Sequence, residues 1–157
     1  MKRLSLFLAI LLAIPILLGQ SGLLAPTARA AADPVPPESS GWVLVSTAEQ
    51  LAYIDQNQAD YVGRNIRLTN DIDMTGYDWI PFGGNEHGPF TGLFDGRGHR
   101  ISGLEIQGHT WFAAGFFGIV RGTVTDLGVS VQLEGGQYAG GLAGILADGG
   151  SIVRSYS

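Results

Sequence analysis

The groups in this chain best suited to acid–base or metal chemistry are 14 acidic residues and three histidines, and cysteine is absent. Asp71 and Asp73 stand out among the carboxylates. They fall two apart in an alternating segment, so both project from one face of a strand. Such a pair could join a calcium site or act as acid and base in glycoside cleavage, with Asp78 and Asp95 as further members. Calcium takes roughly six to eight oxygen ligands, and no Asp-rich loop surrounds the pair. The competing reading is solvated outward carboxylates, with Asp78 and Asp95 forming turns. Convergence of the four in a cleft beside an arginine favours an enzyme; dispersal removes that case.

The other catalytic patterns are missing. His87, His99 and His109 are spaced by 12 and 10 residues, which is no zinc signature, and no His-Glu-x-x-His occurs. His99 sits in a glycine turn and reads as structural. No Gly-x-Ser-x-Gly is present. The glycines between Gly92 and Gly98 lack the Lys-Ser/Thr ending of a phosphate loop. The sequence therefore assigns no catalytic residue, no metal ligand and no cofactor, and the expectation is a protein that is not an enzyme.

Aromatic residues offer a different chemistry. Trp79, Phe82, Phe90, Trp111, Phe112 and Tyr138 could form a strip on which sugars stack. Phe90, Phe94, Phe116 and Phe117 read instead as core. Trp111 and Tyr138, in glycine-flanked loops, remain the candidate ligand contacts together with Asp71 and Asp73. The expected binding face comprises the loops at 85–89, 107–113 and 134–138.

Residues 1–30 have the layout of a cleavable secretory signal. Met1-Lys2-Arg3 is basic, Leu4 to Leu18 is almost wholly apolar, and Ala28-Arg29-Ala30 supplies small residues before a cut after Ala30. The apolar run falls short of the roughly 20 residues a spanning helix needs. The expectation is a secreted or cell-surface protein with no membrane attachment after cleavage. Beyond Ala30 there remain six basic residues, all arginine, against all 14 acidic ones, a net charge of −8. That balance repels nucleic acid and anionic membranes. Residues 31–41, rich in Pro and Ser, read as a linker, with ordered structure from Trp42.

Ser46 followed by Glu49 has capping-box spacing, so residues 47–58 are expected to be a short helix with Leu51, Ile54 and Gln58 along one face. From Ile66 to Met74 the period becomes two, which predicts a strand with one buried face; Asn70, at an inward position, marks a bend. Farther on, glycine-led units begin at Gly92, Gly115 and Gly141, spaced by 23 and 26 residues. Repeats of this length mark solenoids, in which stacked units bury a core none could form alone. The density of 22 glycines after residue 30 fits many tight corners. A sandwich with glycine-rich hairpins is the competing architecture.

The runs Trp79-Ile80-Pro81-Phe82-Gly83 and Phe90-Thr91-Gly92-Leu93-Phe94-Asp95-Gly96-Arg97-Gly98 resemble the region leading into GLUG-motif repeats. Gly115-Phe116-Phe117-Gly118-Ile119 and Gly141-Leu142-Ala143-Gly144-Ile145 resemble two copies of the motif, with Phe117 and Ala143 varying its third position. The resemblance spans residues 43–157. It implies an all-β fold, a right-handed parallel β-helix (β-solenoid) of three to four turns, here with a short N-terminal helix as cap. It also implies a bacterial surface or secreted setting, adhesin-like or associated with immunoglobulin A peptidases, in which the repeats are non-catalytic. The expected role is adhesion or spacing, with an extracellular glycan or a host or matrix protein as partner. The alternatives are a fragment of a β-helical polysaccharide-degrading enzyme, or the repeat region of a secreted peptidase. No cap follows residue 157, so a truncated array and end-to-end self-association are further expectations.

Overall fold

Ile66, Leu68, Ile72 and Met74 are buried and Arg67, Asp71 and Asp73 face outward, as period-two alternation requires, but Asn70, expected on the inner face, is exposed. The segment is nevertheless two strands, because the chain turns a corner at Thr69 and Asn70. In the computed structural model, which describes residues 33–84, 86–107 and 111–157, such corners recur throughout. The expected signal segment at 1–30 lies outside the described residues.

In chain order the elements are β1 (Glu38–Ser39), β2 (Trp42–Val45), α1 (Ala48–Gln56), α2 (Gln58–Tyr61), β3 (Ile66–Leu68), β4 (Ile72–Asp73), β5 (Leu93–Asp95) and β6 (Arg100–Ile106). They continue with β7 (Ala113–Ala114), β8 (Phe117–Val120), β9 (Thr123–Thr125), β10 (Gly128–Leu133), β11 (Tyr138–Ala139), β12 (Ala143–Leu146) and β13 (Ser151–Val153). Four parallel ladders run along the molecule: β2-β3-β5-β9-β13, β4-β6-β10, β7-β11 and β8-β12. The protein is a parallel β-solenoid of about three turns.

Along the longest ladder Val43, Ile66, Phe94, Val124 and Ile152 stack in register. The first four are fully buried and Ile152 is half-buried. The aromatics fill the interior: Trp79 stacks on Phe116 at 4.7 Å, and Phe94 meets Phe116 and Phe117 edge-on at 5.6 and 5.5 Å. Phe90, Phe94, Phe116 and Phe117 are all fully buried. So are Trp79 and Phe82, at 4% and 1% exposure, which removes both from any sugar-stacking strip.

The register corrects the repeat phasing. Partners on the long ladder, Ile66, Phe94, Val124 and Ile152, lie 28, 30 and 28 residues apart. Gly115 and Gly141 do share a corner, since Phe117 pairs with Ala143. Gly92 belongs to a different one, beneath Gly122, since Leu93 pairs with Thr123. There the backbones approach so closely that a Cβ on Gly122 would strike the Gly92 carbonyl oxygen, and one on Gly92 would strike that of Arg64.

The N-terminal end is closed by two devices. In the first turn α1 and α2 replace strands, burying Leu51, Ala52 and Ile54 on the core. The N-cap of α1 is Thr47, whose hydroxyl accepts from Gln50 N–H, while Gln50 Oε1 accepts from Ser46 N–H at 2.8 Å. The capping box is thus one residue later than Ser46–Glu49 suggested. The second device lies in the segment expected to be a linker: β1 pairs antiparallel with β2 and Pro36 is buried. Ser40 and Gly41 join the two strands with φ of 49° and 79°, the pairing of positive angles that a tight hairpin turn needs. Proline tolerates this edge position because its missing N–H faces no further strand. At the opposite end Leu146, Val153 and Tyr156 are exposed.

Candidate functional site

Two of the segments expected to form a binding face meet at one corner, residues 111–112 beside 137–138. Gln137 N–H donates to the Trp111 carbonyl at 2.9 Å and Tyr138 N–H to that of Phe112 at 3.0 Å, the parallel β7–β11 pairing extended outward. The rings of Phe112 and Tyr138 meet edge-on at 5.1 Å, and both are more than 40% exposed. Beside them opens a cavity of about 390 Å3, lined by Ile80, Pro81, Gly84, Glu86, His87, Trp111, Phe112 and Gln58. Trp111 and Ile80 also border an adjacent hollow, which Asp78, Glu105 and Gln107 supply with polar groups. An aromatic wall flanked by carboxylates, an amide and an imidazole can stack a ring and accept hydrogen bonds from hydroxyls.

The wall at Ile80–Gly83 is fixed from below by two buried polar side chains, Asp55 and Gln58. Gln58 Nε2 donates to Asp55 Oδ1 at 2.8 Å and to the Ile80 carbonyl at 3.1 Å. Ile80 N–H donates to Asp55 Oδ2 at 3.2 Å, and Gly83 N–H to Gln58 Oε1 at 3.1 Å. Burial pushes the Asp55 carboxyl up to about 6, against the opposing pull of the bonds from Gln58 and Ile80. Sequence reasoning missed Asp55. The available signal was its position four residues after Leu51, on the apolar face of α1.

The four aspartates considered for catalysis do not share a cleft. Asp71 accepts from Arg100 N–H at 3.0 Å and lies 3.1 Å from His99 Nδ1. The Arg100 N–H, then His99, hold its carboxyl below the ordinary range. Asp73 accepts from the Thr75 hydroxyl and N–H, which lower it likewise. Asp95 pairs with Arg67 at 3.0 Å on the outer face of the long ladder, and the Arg67 guanidinium covers the Trp42 ring at 3.8 Å. Asp78 alone borders the corner site. His109 lies outside the described residues. Among the described residues no three of His, Asp and Glu cluster as metal ligands, and no helix is long and apolar enough to cross a membrane.

Asp126 and Arg154 form a second charged pair on the outer surface. Arg154 Nε donates to Asp126 Oδ1 at 2.6 Å, and the Arg154 and Thr125 hydrogen bonds hold the carboxyl down at about 2. Both residues adopt positive φ, 53° and 48°, at equivalent corners of successive turns. Comparison with protein-family models, with curated proteins and with solved structures finds no match to this chain.

Proposed function

We propose that this chain is a non-catalytic β-solenoid module of a bacterial surface or secreted protein, of the GLUG-like kind, and that it adheres to an extracellular glycan at the corner cavity. One observation carries the reading: Glu86 and His87 from one loop and Trp111 and Phe112 from another line one concave, aromatic-walled cavity, and Tyr138 of β11 packs edge-on against Phe112 at its rim. Concave sites with apolar walls and a few directed polar groups are where small ligands bind. The acidity of the chain selects among glycans. Glu86 in the cavity, with Asp78 and Glu105 in the adjacent hollow, disfavours uronic or sulfated sugars by like-charge repulsion, so a neutral glycan fits best. A host or matrix protein displaying such a glycan is the corresponding macromolecular partner.

The GLUG-like assignment is supported by Gly115-Phe116-Phe117-Gly118 and Gly141-Leu142-Ala143-Gly144, which occupy one corner in successive turns. The non-catalytic assignment is supported by Asp71, Asp73 and Asp95, each engaged by separate local partners. The test is a glycan array and a matrix-protein panel probed with residues 31–157, followed by titration calorimetry on any hit. Binding to neutral glycans that falls at least tenfold in Trp111→Ala and Phe112→Ala is the expected result. Blank arrays, or binding indifferent to both substitutions, would sink the adhesive role at this cavity and leave that of a spacer.

A further inference from the structure

We propose that Asp55 is a positioning residue for the corner cavity: its carboxylate stands in for a missing strand beneath the wall at Ile80–Gly83, and protonating it loosens that wall and reshapes the cavity. The inference rests on the reading of this cavity as the binding site only for its consequence, a pH-dependent affinity; the movement itself needs no ligand.

In a parallel solenoid each strand finds backbone partners in the turn before and the turn after. The segment 80–83 has them on one side only. Phe82 N–H donates to the Phe116 carbonyl at 3.0 Å, and Gly118 N–H donates to the Phe82 carbonyl at 2.9 Å. On the other side lie α1 and α2, whose backbone groups are spent inside the helices and offer no edge. Three backbone groups of the wall are taken up there by side chains instead: Ile80 N–H by Asp55, and Ile80 C=O and Gly83 N–H by Gln58. Gln58 also donates to Asp55, so the two side chains form one unit.

Of these acceptors only Asp55 can change its charge. Its oxygens each receive one N–H, the arrangement a carboxylate satisfies best. Adding a proton makes one oxygen a hydroxyl and weakens the bond it accepts. The position offers the helix nothing, because a negative charge in the last turn of α1 opposes the helix dipole. The groups that act on the carboxyl are Gln58 from α2 and the Ile80 peptide. The charged residue of α2, Asp60, and the other charged residue of α1, Glu49, are both exposed. The wall between Ile80 and Gly84 and the stretch from Trp111 to Ala114 carry no charged side chain, whereas Glu86 and His87 line the cavity itself. Glu86 and His87 are thus the other ionisable side chains at the cavity, and the experiment separates them from Asp55.

The experiment uses residues 31–157 carrying 5-fluorotryptophan, with fluorine NMR recorded between about pH 4 and 8. Trp111, which lines the cavity together with Ile80, is assigned by Trp111→Phe, and the buried Trp79 reports that the fold is intact. The Trp111 resonance is expected to shift with a midpoint near 6, to keep that shift in His87→Gln, and to lose it in Asp55→Asn. A shift abolished by His87→Gln, or one that survives in Asp55→Asn, overturns the proposal. If Asp55→Asn changes the Trp79 resonance and so perturbs the fold, the double variant Glu86→Gln/His87→Gln decides. There a persisting midpoint near 6 supports Asp55, and a flat profile overturns it. A blank glycan array leaves this result standing, and a flat profile leaves glycan binding standing.

Discussion

Replacing Asp55 with asparagine should change how the stability of the protein depends on pH, by an amount that follows from its burial. The carboxyl has an ordinary value of 3.8 and is raised to about 6 in the fold. Between these values the folded state binds more protons than the unfolded chain, so stability falls as pH rises through the window and the whole penalty is present above 6. About two pKa units at 1.36 kcal/mol each set the full penalty; at pH 4, just above the ordinary value, a small part of it is already present, so the loss between pH 4 and pH 7.5 is about 2.4 kcal/mol. Asparagine carries no charge and does not titrate. It does turn an amide towards one of the two donors, Gln58 Nε2 or Ile80 N–H, at a cost of about 1 kcal/mol that is the same at both pH values. Urea unfolding of both proteins at pH 4 and 7.5, followed by tryptophan fluorescence with the slope checked for constancy, measures the difference directly. The change in stability between the two pH values should be about 2.4 kcal/mol more unfavourable in the wild type than in Asp55→Asn. Equal changes within about 0.5 kcal/mol would refute the claim that Asp55 is buried and ionised at neutral pH.

The Asp126–Arg154 pair acts in the opposite sense: its carboxyl is lowered to about 2, so its stabilisation holds above the ordinary value of 3.8 and is lost as pH falls through 2. Acid unfolding of Asp126→Asn should therefore be less steep than that of the wild type below pH 3.8, and superimposable curves would contradict the pairing. Gly122→Ala should cost about 2–4 kcal/mol by urea unfolding, because its methyl would push against the Gly92 carbonyl that accepts from Thr123 N–H, and a rung bond must yield. Gly98→Ala, at φ +81° with open space around it, should cost only about 1–2 kcal/mol; equal losses at the two sites would discount the close stacking. The exposed side chains of Leu146, Val153 and Tyr156 beside the free edge of β13 should make residues 31–157 associate end to end as concentration rises. Sedimentation as a monomer at every concentration tested would count against that association.

The sequence determined whatever depends on near neighbours along the chain. Alternation from Ile66 to Met74 separates buried from exposed residues because strand geometry repeats every two residues; it fails only at the corner, where Asn70 turns outward instead of in. Capping chemistry put a helix start within one residue of Thr47, and glycine-rich corners with a repeating apolar pattern marked a stacked β architecture. Neighbouring turns, by contrast, meet through residues 28 to 30 apart, and only the tertiary structure decided which glycines share a corner. Gly92 and Gly115 carry similar flanking residues but sit at different corners, so local likeness gave the wrong phase. The hairpin that closes the first strand was equally hidden, because prolines around Val35 signal irregular chain until an edge is there for β1 to pair with. Asp55 and Gln58 read as ordinary polar residues of a short helix. Their role depends on the wall at Ile80–Gly83, about 25 residues along the chain, which lacks a strand on one side because a helix occupies that turn. Backbone groups left without a partner are a property of the assembled stack, and no local pattern in the chain encodes them.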